Sequence, residues 1–232
     1  MVGKHLVLIQ AEACDEAIGR EVTVASPQPP GSREYLAFGE GDIPRWQDTT
    51  GAELHIFPAW GWVNAIAPIV RIDYDSRRIL LPPDGYTDDI RLGNRYSIEN
   101  VREALDAPNE WYLDGRTGEL LYLSETDKAP ANAVLARLDR LIVLKGEPAS
   151  DRWVEHLRFE GFNFTDTNYT LTTNYYMPAD AVIWMAGARH CEVRNCTFRW
   201  VGGYALRLEE RTQQSRFVKN RVENVAQGGV IL

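Results

Sequence analysis

Glu209 and Glu210 are adjacent carboxylates that follow an apolar run ending at Leu208. Carboxyl groups held about 5 Å apart can cleave an acetal, one protonating the leaving oxygen while the other attacks, and a wider gap admits a water instead. These two are the candidate catalytic residues, and the competing reading is a solvated acidic turn. Aromatic side chains offer a second kind of chemistry. Tyr169, Tyr175 and Tyr176 lie in one polar stretch, with Trp184 and Trp200 further along, and flat rings of this kind stack on sugars. Tyr175, Tyr176 and Trp200 are the candidate substrate-binding residues, with core packing the competing role for the tryptophans. Cys14, Cys191 and Cys196 are odd in number and lack zinc spacing, so no disulfide framework, metal or cofactor is expected. Cys196 reads as a small residue facing a core.

Positioning these groups falls to a repeat in the last third of the chain. Phe159–Phe164, Val193–Phe198 and Phe217–Val222 share one pattern of apolar and turn residues. A second apolar strand recurs in step: Ala181–Met185, Tyr204–Leu208 and Gly228–Leu232. Period-two alternation, with Gly202-Gly203 and Gly228-Gly229 interrupting each copy, excludes a helical repeat. Short strands at a period of about 24 residues mark a β-solenoid. The register predicts Phe159, Val193 and Phe217 stacked on one interior face. The longer first step places the excess in Asp166–Pro178, read as a projecting loop.

Neighbouring coils of a parallel solenoid lie about 4.8 Å apart, so acids aligned one coil apart would meet the shorter catalytic separation. No such pair emerges. Glu160 aligns with Arg194 and Val218, Glu192 with Arg158 and Arg216, Asp166 with Trp200 and Asn224, and Asp180 with Gly203 and Gln227.

The repeat resembles right-handed parallel β-helix proteins, and the run Asn100–Asp114 leading into Gly115–Leu123 narrows the resemblance. Its Asn100, Glu103, Leu105-Asp106, Pro108, Glu110-Trp111-Tyr112, Asp114, Thr117-Gly118 and Leu120 are similar to the signature of β-helical glycoside hydrolases, the α-L-fucosidase-like, xylanase-like and β-xylosidase-like group. Asn109 stands where Gly is usual and Ser124 where Pro is usual; Asn tolerates a left-handed backbone, so the first change can keep the turn. Phe38, Gly41–Ile43, Trp46, Trp60 and Ile69–Asp73 fit the same group's barrel-like insert. The resemblance covers roughly residues 35 to 232. It implies an all-β fold, a right-handed parallel β-helix of about three coils preceded by a β-barrel or sandwich-like lobe. It implies catalytic acids on later coils, and a family often secreted or periplasmic.

Read from the residues alone, Ser97 caps a short helix carrying Ile98, Val101 and Leu105, which ends at Pro108. Trp111–Leu113 and Glu119–Leu123 form a hairpin around Asp114–Gly118, with Trp111 buried and the turn exposed. Glu110 and Asp114 are expected to shape turns. Strands are also expected at His55–Phe57, Ile69–Ile72, Arg78–Leu81 and Leu141–Leu144.

The expected organisation is a connecting or incomplete N-terminal segment over 1–37, a β-rich barrel or sandwich-like lobe over 38–145 and a parallel β-helix, truncated at its C-terminal end, over 146–232. The chain stops within an apolar strand, at Val230-Ile231-Leu232. Solenoids need capped ends, so a truncated front portion that is inactive alone, with possible self-association through its last coil, is expected. Hydrophobic content of 44% and net charge of −8 fit a globular protein and exclude a nucleic-acid partner, which needs concentrated positive charge. No apolar run approaches a membrane span, and Leu6–Ile9 is too short for a signal-peptide core. The leading function is the N-terminal part of a glycoside hydrolase acting on polysaccharide or oligosaccharide. A polysaccharide lyase of the same architecture, or a non-catalytic carbohydrate-binding or structural module, are the alternatives; acids this dispersed do not form a calcium cage.

Overall fold

The computed structural model describes residues 7–9, 22–27, 33–63, 65–83, 88–126, 130, 133–169, 180–209 and 211–232. Its elements are short strands, and the only helical pieces among the described residues are the single turns Arg102–Ala104 and Pro148–Ser150. The class is therefore all-β. The chain divides into two compact units, one drawn mainly from Gln10–Asn132, the other from Gly3–Ile9, Ala133–Leu171 and Pro178–Leu232.

The first unit is antiparallel. Val22–Thr23, Arg95–Glu99, Glu53–Ile56 and Ala65–Pro68 form one sheet in that order, and Tyr35–Ala37, Arg78–Leu80 and Arg71–Asp73 form a second. Alternation sends Leu54, Ile56, Ala65 and Ala67 inward, where they meet Leu36, Ile79, Tyr96 and Ile98 in one core. Antiparallel strands with one buried face show this pattern. Two expectations are corrected here. Ser97 caps no helix: it lies in the strand Arg95–Glu99, opposite His55. The pairing of Leu54 with Ile98 joins residues distant in sequence, and burial of that sheet face outweighs the local cap signal. The stretch Ile69–Ile72 is not one strand: Ile69 and Val70 connect the strands Ala65–Pro68 and Arg71–Asp73, and only Arg71 and Ile72 belong to a strand.

The hairpin forms as expected, with Trp111 opposite Tyr122 and Leu113 opposite Leu120. Asn109 adopts φ 73°, the left-handed conformation that glycine would take most cheaply. Glu110 accepts the Asp106 and Ala107 N–H groups at 2.8 and 2.9 Å, and Asp114 accepts that of Arg116 at 2.8 Å. Both acids thus shape turns. Burial differs by one residue: Tyr112 is the buried aromatic, while Trp111 is half-buried. The strand alternation turns Tyr112 inward and Trp111 to the opposite face.

The second unit is mostly parallel. Ile142–Lys145, Ala181–Ala186, Tyr204–Leu208 and Gly228–Ile231 make one four-stranded sheet. Arg158–Glu160, Glu192–Arg194 and Arg216–Val218 make another, and Asn163–Thr165, Thr197–Val201 and Arg221–Val225 a third. Ile142–Lys145, assigned from sequence to the end of the lobe, is the edge strand of the first of these sheets, with Ile142 opposite Ile183. Phe159, Val193 and Phe217 lie in one register column, and Phe164, Phe198 and Val222 in the next. These residues share a core with Ile183, Met185, Leu206 and Cys196. The turns between strands repeat as well. His156, His190 and Gln214 all have positive φ, as do Gly161, Asn195 and Lys219, and Asp166, Trp200 and Asn224. Left-handed corners at matching positions let successive turns superpose.

Candidate functional site

Parallel register sets several acids of the second unit against arginines. Glu160 is opposite Arg194 and Glu192 is opposite both Arg158 and Arg216. Arg158 Nε lies 2.9 Å from Glu192. Arg194 Nε lies 3.3 Å from Glu160, an ion pair without hydrogen-bond geometry. Arg189 pairs with Glu155, Arg140 with Asp180 at 2.6 Å and Arg221 with Glu223 at 2.6 Å. Such pairs near the surface add little stability each, but they neutralise the carboxylates along the coil faces.

Glu209 follows this rule. It comes directly after Tyr204–Leu208, donates its N–H to Met185 O at 2.8 Å and places Oε1 2.6 Å from Arg207 Nη2. It lines an open hollow of about 480 Å³ with Arg207, Leu208, Thr212, Ile231 and Leu232. This carboxylate can accept hydrogen bonds from a ligand. Glu210, Tyr175 and Tyr176 lie outside the described residues.

Asp166 is different. Its Oδ2 accepts the Thr165 hydroxyl, whereas its Oδ1 is buried without a hydrogen-bond partner. Asp166 lines an open hollow of about 520 Å³ with Leu135, Arg137, Leu138 and Leu141. Its N–H donates to Trp200 O at 3.0 Å, which sets the tryptophan one strand along at the equivalent corner. Trp200 is 37% exposed. Trp184 is buried, with the Arg140 guanidinium 4.9 Å from its ring centre, so it serves packing. Cys191 and Cys196 are buried thiols. Among the described residues no group of three or more His, Cys, Asp or Glu side chains could hold a metal.

A solved structure described as "Glycoside hydrolase" shares this fold. The likeness has a TM-score of 0.67 at 20% identity, and it covers 93% of this chain and 44% of that one. No family model matches the chain, and no curated protein does. At this identity the likeness to the glycoside hydrolase structure is one of fold, and the chain spans less than half of that structure's length. No helix among the described residues is long and apolar enough to cross a membrane.

Reading acids only for stacked pairs passes over Asp166 and Arg137. The alignment of Asp166 with Trp200 is legible as a carboxylate beside an aromatic, and it is a signal for Asp166 alone.

Proposed function

We propose that this chain is the N-terminal part of a carbohydrate-active protein built on a right-handed parallel β-helix, of the glycoside hydrolase kind, acting on a polysaccharide or oligosaccharide. The observation that carries the reading is the fold likeness to the glycoside hydrolase structure over 93% of the chain. Parallel ladders in constant register and superposed left-handed corners support about three coils, which begin with the strand Ile142–Lys145 rather than after residue 145, with the β-rich lobe preceding them in the chain. The turn chemistry of Asn100, Asn109, Glu110 and Asp114 supports the signature element within that lobe. Asn100, for instance, donates to Gly51 O at 3.0 Å and accepts the Leu113 N–H at 3.1 Å.

In this reading the coil faces of the chain bind glycan, and the carboxyl pair that cleaves it comes from elsewhere in a longer protein, because Glu160 and Glu192 lie in register with arginines and not with a second acid. The reading is tested with the natural full-length protein on aryl glycosides and on soluble polysaccharides. Release of aglycone or reducing ends is expected. Cleavage that instead generates unsaturated uronate products would replace hydrolysis with elimination, and absence of both cleavage and glycan binding would overturn the reading.

A further inference from the structure

We propose that Trp60 and Trp62 form an aromatic platform for the pyranose rings of a neutral glycan, an inference that rests on the carbohydrate reading above and adds a place for sugar on the antiparallel unit. The first observation is exposure. Trp60 is 73% exposed and Trp62 63%, both on the loop that joins Glu53–Ile56 to Ala65–Pro68. Apolar side chains scattered singly over a surface are ordinary, whereas two indoles on one loop make a patch that calls for an occupant.

The second observation is that this loop is held in place. Ala59 donates its N–H to Asp89 O at 2.8 Å, and Gly61 donates to Pro58 O at 2.9 Å. The buried Asn94 donates its side-chain amide to Ala59 O at 3.2 Å and accepts the Arg91 N–H at 2.7 Å. Ala59 and Gly61, on either side of Trp60, take φ 50° and 76°. An alanine keeps that left-handed conformation only where its surroundings fix it, and such strain clusters at binding sites. A ring presented on a fixed loop loses little conformational freedom when a ligand stacks on it.

The third is what surrounds the Trp60 ring. The Arg91 guanidinium lies 4.0 Å from its centre and covers one face, so the exposed area belongs to the opposite face and the edges. A methyl group at Gly61 would meet nothing within 4 Å, which keeps the space at the backbone between the two tryptophans clear. The nearby charges are matched. Arg33 lies 3.7 Å from Asp88 and 3.5 Å from Asp89, and Arg91 lies 3.9 Å from Asp89. A pyranose fits these features, with an apolar C–H face for the indole and hydroxyls for the polar groups beside it. Both arginines already face aspartates, so a uronate finds no preferred place here. Size decides against a second protein chain: two indoles supply about 300–500 Å², whereas a specific protein interface takes about 800 Å² from each partner.

The test is affinity electrophoresis of the full chain in native gels containing arabinoxylan, mixed-linkage glucan, galactomannan or polygalacturonate. Trp60→Ala and the double variant Trp60→Ala with Trp62→Ala are compared with the parent chain, and thermal melts confirm folding. Retardation by at least one neutral glycan is expected, weakened at least tenfold in Trp60→Ala and lost in the double variant. Parent-like retardation of the folded double variant would overturn the platform and leave the carbohydrate reading standing. Retardation by polygalacturonate alone would overturn the neutral ligand. A parent dimer in sedimentation velocity that the double variant dissociates would assign the tryptophans to a second copy and overturn the platform. A parent chain retarded by none of the four would also overturn it, and glycoside hydrolysis by the natural full-length protein would then show that the carbohydrate reading survives.

Discussion

At the scale of single residues, two tyrosines show how hydrogen bonding decides the value of a hydroxyl. Tyr96 is buried in the antiparallel core and its hydroxyl has no partner. Burial, and secondarily the negative charge of Asp42, push its ionisation well above the ordinary tyrosine range. A buried polar group without a partner costs free energy. Tyr96→Phe is therefore expected to leave stability unchanged or raise it by about 1 kcal/mol, measured by urea unfolding. Tyr122 donates to Asn109 Oδ1 at 2.5 Å, so Tyr122→Phe should cost about 1 kcal/mol in the same assay. Equal effects of the two changes would show that neither environment is as described.

At the scale of elements, the hairpin Trp111–Tyr122 is held by a buried ring and a charged turn. Replacing Tyr112 by Ala should cost about 3 kcal/mol or more, and replacing half-buried Trp111 should cost less; the reverse order in urea unfolding would reassign the buried face. In the turn, the Arg116 guanidinium, then the Arg116 and Thr117 N–H groups, hold Asp114 below the ordinary aspartate range. Its folded pKa is depressed, so its contribution is present above the unfolded value of about 3.9 and is lost as pH falls through the lower folded value. A carboxyl titration followed by NMR should place the Asp114 midpoint below that of an unstructured peptide, and an ordinary midpoint would contradict the turn geometry. The elements differ in how far they are legible in sequence. The Phe159–Val193–Phe217 column is legible because period-two alternation repeats at a constant step, which leaves one register that buries all three. The strand at Ser97 is not, because its partner near Leu54 lies far along the chain and a local cap signal competes. Burial of Tyr112 rather than Trp111 is likewise a matter of which face of the hairpin meets the lobe. At the candidate site, the pairing of Asp166 with Trp200 is legible from the repeat, but the burial of Oδ1 without a hydrogen-bond partner and the hollow that Asp166 lines with Arg137 depend on three-dimensional packing.

For the whole molecule, an acidic balance of −8 coexists with coil faces on which carboxylates are matched to arginines across neighbouring strands. That arrangement relieves like-charge repulsion, since strands about 4.8 Å apart would otherwise bring unscreened acids together. It also bears on catalysis. A retaining glycosidase needs two carboxyl groups about 5 Å apart, one of them protonated and the other ionised. In the registers Glu160 opposite Arg194 and Glu192 opposite Arg158 and Arg216, a guanidinium stands where the second carboxyl would have to be. Glu209 carries the same pairing with Arg207 within its own strand end. The purified 232-residue chain is therefore expected to bind glycan without hydrolysing it. Incubation with aryl glycosides should release no aglycone above the level of a buffer blank, and Glu209→Gln should change nothing in that assay. Turnover by a monomeric preparation that disappears in Glu209→Gln would show instead that this chain carries a catalytic acid, and that the arginine pairing opens when substrate arrives.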